Sequence, residues 1–186
     1  GVDRRSMPGT RRPPAEPGVG SGKKKGHGVD PNVLATMVTT TSYGTWLPGD
    51  ARGYVADGQI LPGDPKLLDR ARSLLAHAPV YFDDAEQDAL LDALCDAAVE
   101  FGYRLTDVSV ESWHLHWLAS HGYDLVSTMV GRLKTRMRQA LDRGRIWTEG
   151  YCHRCLYAPE EIEQCRRYIA RHRGCRMLNG KRVSKS

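Results

Sequence analysis

Hydrophobic and polar positions along this chain switch repeatedly between a two-residue and a helical period. Residues 33–43, Val-Leu-Ala-Thr-Met-Val-Thr-Thr-Thr-Ser-Tyr, are β-branched and alternating, which predicts a strand. From Gly44 to Pro65 the repeats Leu47-Pro-Gly-Asp50 and Leu61-Pro-Gly-Asp64 interrupt any periodicity, as expected of a surface loop, and a short helix is predicted over 65–75. Asp83-Asp84-Ala-Glu86 opens a longer helix with acidic residues in its first turn. Leu90, Leu91, Leu94, Ala97, Ala98 and Phe101 follow at helical spacing, and Gly102 ends it.

Alternation returns over 103–111 and again over 114–121, with a tight connection around Glu111 to Trp113, so two adjacent strands are expected. Asp124 is the expected cap of a helix that carries Leu125, Met129, Leu133, Met137 and Leu141 inward and its arginines outward. A further strand is predicted between about 146 and 157, and a last helix from Pro159-Glu160-Glu161 through Arg173. The order strand, helix, strand, strand, helix, strand, helix places the chain in the α+β class. Its first six elements match a ferredoxin-like split βαβ with an antiparallel sheet and helices on one face. The last helix is then an addition available for function.

Residues 1–30 are rich in Gly, Pro, Arg and Lys with almost no apolar content. They bury too little surface to offset chain entropy and are expected to be a disordered basic tail ahead of one domain over 31–186. Hydrophobic residues make up 40% of the 186, enough for a packed core. No stretch approaches the roughly 18 apolar residues of a membrane span. Residues 1–30 also lack the pattern of a secretory signal. Five cysteines are an odd number, which argues against a disulfide framework and for a reducing, cytoplasmic setting.

The net charge of +5 is concentrated in the tail and between residues 132 and 185. Arg132, Lys134, Arg136, Arg138, Arg145, Arg166, Arg167 and Arg171 are the candidate contacts to a nucleic-acid backbone, interleaved with Trp147, Tyr151, Tyr157 and Tyr168. A solvated basic helix face is the plainer explanation of the same charges. Trp113 and Trp117 are expected in the core; Trp147, beside the basic helix, is open to either role.

His114-Leu115-His116 carries the most chemistry. On a strand the two imidazoles share one face while Leu115, Trp113 and Trp117 take the other. Such a pair makes half of a divalent-metal site. His121, at the end of the same strand, is expected at the surface. On the last helix Gln164, Tyr168 and His172 are spaced by four and share a face, so His172 is a candidate third ligand. A phenol beside a metal can act as a nucleophile at phosphorus. With an ordinary pKa of about 10, only about one phenol in a thousand is ionised at neutral pH, a deficit of about 4 kcal/mol that a cation can offset.

Four stretches resemble the HUH single-tyrosine transposases, the TnpA-like enzymes of insertion sequences and their REP-associated relatives. They are Val38-Thr-Thr-Thr-Ser42, Val108-Ser-Val-Glu-Ser-Trp-His-Leu-His-Trp117, Gly144-Arg-Ile-Trp147 with Gly150-Tyr151, and Ile162-Glu-Gln-Cys-Arg-Arg-Tyr-Ile169. The resemblance implies a metal-dependent nuclease and strand transferase acting on single-stranded, hairpin-containing DNA, with Mg²⁺ or Mn²⁺ as cofactor. It implies Tyr168 as a nucleophile that forms a 5′-phosphotyrosine, and His114 and His116 as metal ligands. It also implies a nucleoid-associated prokaryotic protein and raises the prospect of a homodimer. Two positions depart from the family's pattern: His172 stands where Gln or Asn is usual, and Trp113 where a small polar residue is usual.

A competing constellation is Cys152-His-Arg-Cys155 with His172-Arg-Gly-Cys175, the spacing of a structural Zn²⁺ set. In that case Cys152, Cys155, His172 and Cys175 hold zinc in a nucleic-acid-binding module that is not an enzyme. A catalytically idle DNA-binding relative is a third possibility.

Overall fold

A computed structural model describes residues 30–56, 59–120 and 122–184. The basic tail expected over 1–30 lies outside these residues except for Asp30, and His121 also lies outside them. The chain forms β1 (Ala35–Thr41), β2 (Tyr54–Ala56), β3 (Gln59–Leu61), α1 (Pro65–Ser73), α2 (Asp84–Glu100), β4 (Arg104–Val110), β5 (His114–Ser120), α3 (Val126–Ala140), β6 (Cys152–Leu156), α4 (Pro159–Ala170), β7 (Cys175–Leu178) and β8 (Lys181–Arg182). Six strands make one antiparallel sheet in the order β6-β1-β5-β4-β7-β8. Its first four members have the ferredoxin-like order, fourth-first-third-second among the strands of the split βαβ. The fold is ferredoxin-like α+β, as the periodicity predicts.

Strand alternation divides the core in two. Val38, Val108, Val110, Leu115, Trp117 and Ala119 pack against Leu90, Leu91 and Leu94 of α2 and Met129, Leu133 and Met137 of α3. On the opposite face Ala35, Leu118 and Leu156 pack against Cys165 and Ile169 of α4. Burial of each large aliphatic side chain contributes about 1.5–3 kcal/mol. The sheet therefore lies between the α2–α3 layer and the helix that carries Tyr168.

Local sequence explains the helix starts. Asp83 and Glu86 form a reciprocal capping box at α2, with Glu86 N donating to Asp83 Oδ1 at 2.8 Å and Asp83 N to Glu86 Oε2 at 3.1 Å. Pro159 occupies the first position of α4, and Glu160 and Glu161 its first turn. The expected Asp124 cap of α3 is not made: Leu125 is the N-cap, without a side-chain bond. Asp124 instead accepts from Tyr103 Oη and Arg132 Nη1, at 2.7 and 2.6 Å.

Other expectations are corrected. The 44–65 excursion contains the β2–β3 hairpin, and its first part packs closely against the start of α1. At Gly49, with φ +86°, an added Cβ would lie 2.4 Å from Asp64 O and 2.5 Å from Leu68 N. The strand predicted from about 146 shrinks to β6, with a lone bridge between Ser42 and Trp147 before it. The last helix ends at Ala170, and two short strands follow that periodicity did not predict. Trp147 is a core residue, edge-on to Phe82 and donating Nε1 to Lys134 O at 3.0 Å. None of the five cysteines forms a disulfide. Among the described residues no helix is long and apolar enough to cross a membrane.

Candidate metal and tyrosine centre

His114 opens β5 opposite Thr41 of β1, and His116 stands between Thr39 of β1 and Ser109 of β4. Leu115 and Trp117 point into the α2–α3 core, so both imidazoles face α4. His172 comes from the turn just past α4, not from the helix itself. Its N–H bonds Ile169 O at 3.1 Å, and its Nδ1 lies 3.0 Å from Tyr168 O. A carbonyl only accepts, so Nδ1 carries the proton and caps the helix while Nε2 keeps its lone pair.

The three imidazoles form a cluster whose candidate ligand atoms lie within 4.8 Å of one another. Ring centroids are 4.8 Å apart for His114 and His116, 4.6 Å for His116 and His172, and 5.6 Å for His114 and His172. His116 is 2% exposed, and its Nδ1 is engaged at 2.8 Å by Thr39 Oγ1. His116 Nε2 and His114 Nδ1 are buried with no hydrogen-bond partner, as is Ser109 Oγ. Orphaned imidazole nitrogens converging on one point are what a divalent ion would satisfy, and Thr39 then serves as the outer partner that fixes the ring of His116.

Electrostatics favour the ligand form. Burial pushes the His114 imidazole down to about 3, with His172 and Arg52 adding to the effect. Burial also holds His116 well below the ordinary range, helped by His114 and His172. Both rings are therefore neutral near pH 7.

Tyr168 completes the centre. Its ring is edge-on to His116 at 5.2 Å and to His172 at 4.7 Å. The neighbouring residues Cys165 and Ile169 seat α4 on the sheet. Arg166 pins the same helix from beneath: its Nε donates at 3.1 Å to Asp107, a fully buried carboxylate that also accepts Asn179 N at 3.1 Å. Gln164, expected beside Tyr168 and His172, is solvent-exposed.

Gly174 sets the position of His172. An added Cβ there would meet Val110 O at 2.1 Å. The turn is tied to the end of β4 by Val110 N to Gly174 O at 2.8 Å and by Gly174 N to Glu111 Oε1 at 2.7 Å.

The zinc alternative does not assemble. Cys152 pairs with Thr39 and Cys155 with Thr36, three residues apart on one continuous strand, so their side chains leave opposite faces of the sheet. Among the described residues the three histidines are the only metal-ligating group found.

The basic residues lie in several places. α3 carries Arg132, Lys134, Arg136 and Arg138 on the far side of the sheet from the histidines. Arg132 pairs with Asp124, and Arg136 with Glu100. Lys134 Nζ donates to Thr148 O and Gly150 O at 3.0 and 2.9 Å, and burial pushes it down to about 8. Arg145 pairs with Glu149 at 3.0 Å. Near Tyr168, Arg166 and Arg167 pair with Glu163 at 2.8 and 3.6 Å. Arg171 is exposed and has no ion pair among the described residues. Arg176, part of the basic run, is buried, donates to Gln87 Oε1 at 3.1 Å and forms an ion pair with Asp88 at 3.4 Å.

Sequence reasoning passed over Thr39, Ser109, Gly174 and Arg52. It also misplaced Trp113, which precedes β5 and does not enter the core. Trp113 is partly exposed, its ring 4.0 Å from that of His114 and 4.4 Å from the guanidinium carbon of Arg52. The Thr-rich first strand was the available signal for Thr39, because every second residue of it must share the histidines' face.

No protein-family model matches the chain, and no curated protein does. Among solved structures, a REP-associated tyrosine transposase bound to a REP hairpin overlaps 80% of this chain and 70% of its own at a TM-score of 0.52 and 10% identity. A protein of Deinococcus radiodurans R1, assigned provisionally as a transposase, overlaps 79% of this chain and 95% of its own at 19% identity and a TM-score of 0.38, too loose to bear on the fold. The fold of this chain is that of a REP-associated tyrosine transposase.

Proposed function

We propose that the chain is a transposase-like nuclease of the HUH single-tyrosine type, cutting and rejoining single-stranded DNA beside a hairpin. The observation that carries this reading is the meeting of Tyr168 with His116 and His172 at a point where imidazole nitrogens converge without partners. His114, His116 and His172 would hold a divalent ion. When bound, that ion polarises the phosphodiester and offsets charge in the transition state. Three imidazoles suit Mn²⁺ or another first-row ion better than Mg²⁺, which prefers oxygen ligands.

Tyr168 Oη attacks phosphorus, its proton passing to solvent, and the O–P bond to tyrosine forms as the bond to the 3′ oxygen breaks. The released 3′ oxygen takes up a proton, and the 5′ phosphate remains on Tyr168. The phosphodiester's free energy is kept in that link, so reversal on a new 3′-hydroxyl rejoins DNA without ATP. Arg167 and Arg171 contact the strand near Tyr168. Arg132, Arg136, Arg138 and Arg145 belong to an outer basic surface away from Tyr168; Lys134 and Arg166 are already engaged within the fold.

The test is incubation of the full chain with hairpin-containing single-stranded DNA and Mn²⁺ or Mg²⁺, followed by a denaturing protein gel. A covalent adduct that disappears in Tyr168→Phe is expected. An adduct that persists in that variant, or none with any hairpin from the flanking locus, overturns the reading.

A further inference from the structure

The loop after β1 is organised around Asp50. Its carboxylate accepts Arg52 Nε at 2.8 Å, Nη2 at 2.7 Å and the Arg52 backbone N–H at 2.9 Å. The same Nη2 reaches Thr45 O at 2.7 Å. The guanidinium held in this way lies over Trp113, whose ring adjoins the candidate metal ligand His114. Trp46 closes the series, edge-on to Trp113 at 6.1 Å and anchored by Nε1 to Gly53 O at 2.7 Å. Arg52 is therefore one ring removed from the histidine cluster.

On its other flank Arg52 lines a cleft of about 530 Å³ between this loop, α1 and residues 77–81, shared with Arg72, His77, Tyr81, Leu68 and Pro79. That volume falls within the range that encloses small ligands and suits one nucleotide. Arg72 is exposed and makes only a long contact, 3.6 Å, to Asp69. Tyr81 leaves 59% of its surface exposed. Asp50, the acidic group lining the cleft, is already matched by Arg52. Arg72 supplies the loosely paired charge and Arg52 its Nη1, the terminal nitrogen not engaged with Asp50 or Thr45. Beside an open aromatic ring they recognise a phosphate and a base, and the ring accepts any base.

We propose that this cleft holds one nucleotide of the single strand adjoining the phosphodiester at Tyr168, its phosphate on Arg52 and Arg72 and its base on Tyr81. The proposal rests on the nuclease reading above for the identity of the strand.

The test is fluorescence anisotropy of the metal-free full chain with labelled oligo(dT) of about 20 nucleotides, longer than one binding site. An abasic strand of the same length and photocrosslinking to 4-thiothymidine in the same oligomer complete it. Arg72→Glu is expected to weaken binding about tenfold and lower the salt slope by about one. Tyr81→Ala is expected to abolish the preference for oligo(dT) over the abasic strand, and crosslinks should map to the peptide bearing Tyr81. Both side chains are exposed, so unchanged thermal melting verifies that each variant folds. Wild-type binding with no effect of either variant, or crosslinks only outside the cleft, overturns the cleft and leaves the nuclease reading to the Tyr168 adduct. Loss of binding in both variants without any Tyr168 adduct upholds the cleft and overturns the nuclease. No binding of oligo(dT) by the wild type overturns the cleft, and the nuclease reading is then decided by the Tyr168 adduct on hairpin DNA.

Discussion

The ring of Tyr168 stands edge-on to that of His116, with 5.2 Å between centroids and 79° between planes. One residue sits on a helix and the other on a strand 52 positions earlier, and the Ile169–Leu118 side of α4 holds them together. Replacing Tyr168 by Phe keeps this packing and removes only the hydroxyl. Adduct formation should fall at least about 10³-fold, as for loss of other nucleophiles. The melting temperature should stay within about 2 °C.

Metal affinity should depend on Thr39, which touches no ion itself. Its hydroxyl orients His116 through Nδ1. In Thr39→Val the ring loses that partner, and Mn²⁺ affinity measured by titration calorimetry should drop about 10- to 100-fold. His116→Ala should remove binding altogether. A wild-type protein with Mn²⁺ at 100 times its Kd should gain about 2.7 kcal/mol of stability.

Acid should unfold the metal-free protein through the histidine pair. His114, at about 3 when folded, titrates near 6.5 when unfolded, and His116 is shifted in the same direction. The unfolded chain then binds more protons between those values, so stability is full above about pH 6.5 and is lost as the pH falls towards 3. His114 should contribute on the order of 1 kcal/mol per pH unit across that window, with His116 acting in the same direction. Denaturant titrations of wild type and His114→Gln at pH 7 and pH 5 measure the difference; the variant should be the less pH-sensitive.

Gly174→Ala should displace the turn that presents His172, because its Cβ would sit 2.1 Å from Val110 O. Overpacking of this kind costs about 1–3 kcal/mol. Mn²⁺ affinity should fall with stability, in contrast to Gly150→Ala, where nothing stands within 4 Å of an added Cβ. Gly150 has φ +80°, so that control carries a backbone cost without displacing His172.

Removing Arg166 should strand the Asp107 carboxylate, which is fully buried. Arg166→Met should destabilise the chain by about 3–5 kcal/mol in urea unfolding, and the double variant with Asp107→Leu should recover part of the loss.

The sequence made the centre legible where periodicity governs side-chain direction. Alternation over 114–118 put both histidines on one face, and the family resemblance, rather than spacing along α4, pointed to Tyr168 as their neighbour. It failed where direction depends on contacts made elsewhere. Trp113 precedes β5, so strand alternation does not apply to it, and Arg52 claims its ring. Cys152 and Cys155 match a ligand spacing, yet three residues apart on a strand they face opposite ways unless a turn intervenes, and β6 has no turn between them. β7 and β8 are too short to show a period, and they are placed by pairing, β7 with β4 and β8 with β7. Arg52 and Trp46 were hidden inside a loop whose shape depends on the tight approach of Gly49 to α1.

The clasp between Arg166 and Asp107 has a consequence for reaction order. A helix fastened into the floor of its own sheet is a fixed arm, and it delivers its phenol to the histidines of the same polypeptide. With the roles proposed above for Tyr168 and the histidines, one copy would carry nucleophile and ligands together. First-strand cleavage should proceed at a rate per molecule that does not change as the protein is diluted, and mixing a tyrosine-deficient copy with a histidine-deficient one should restore nothing.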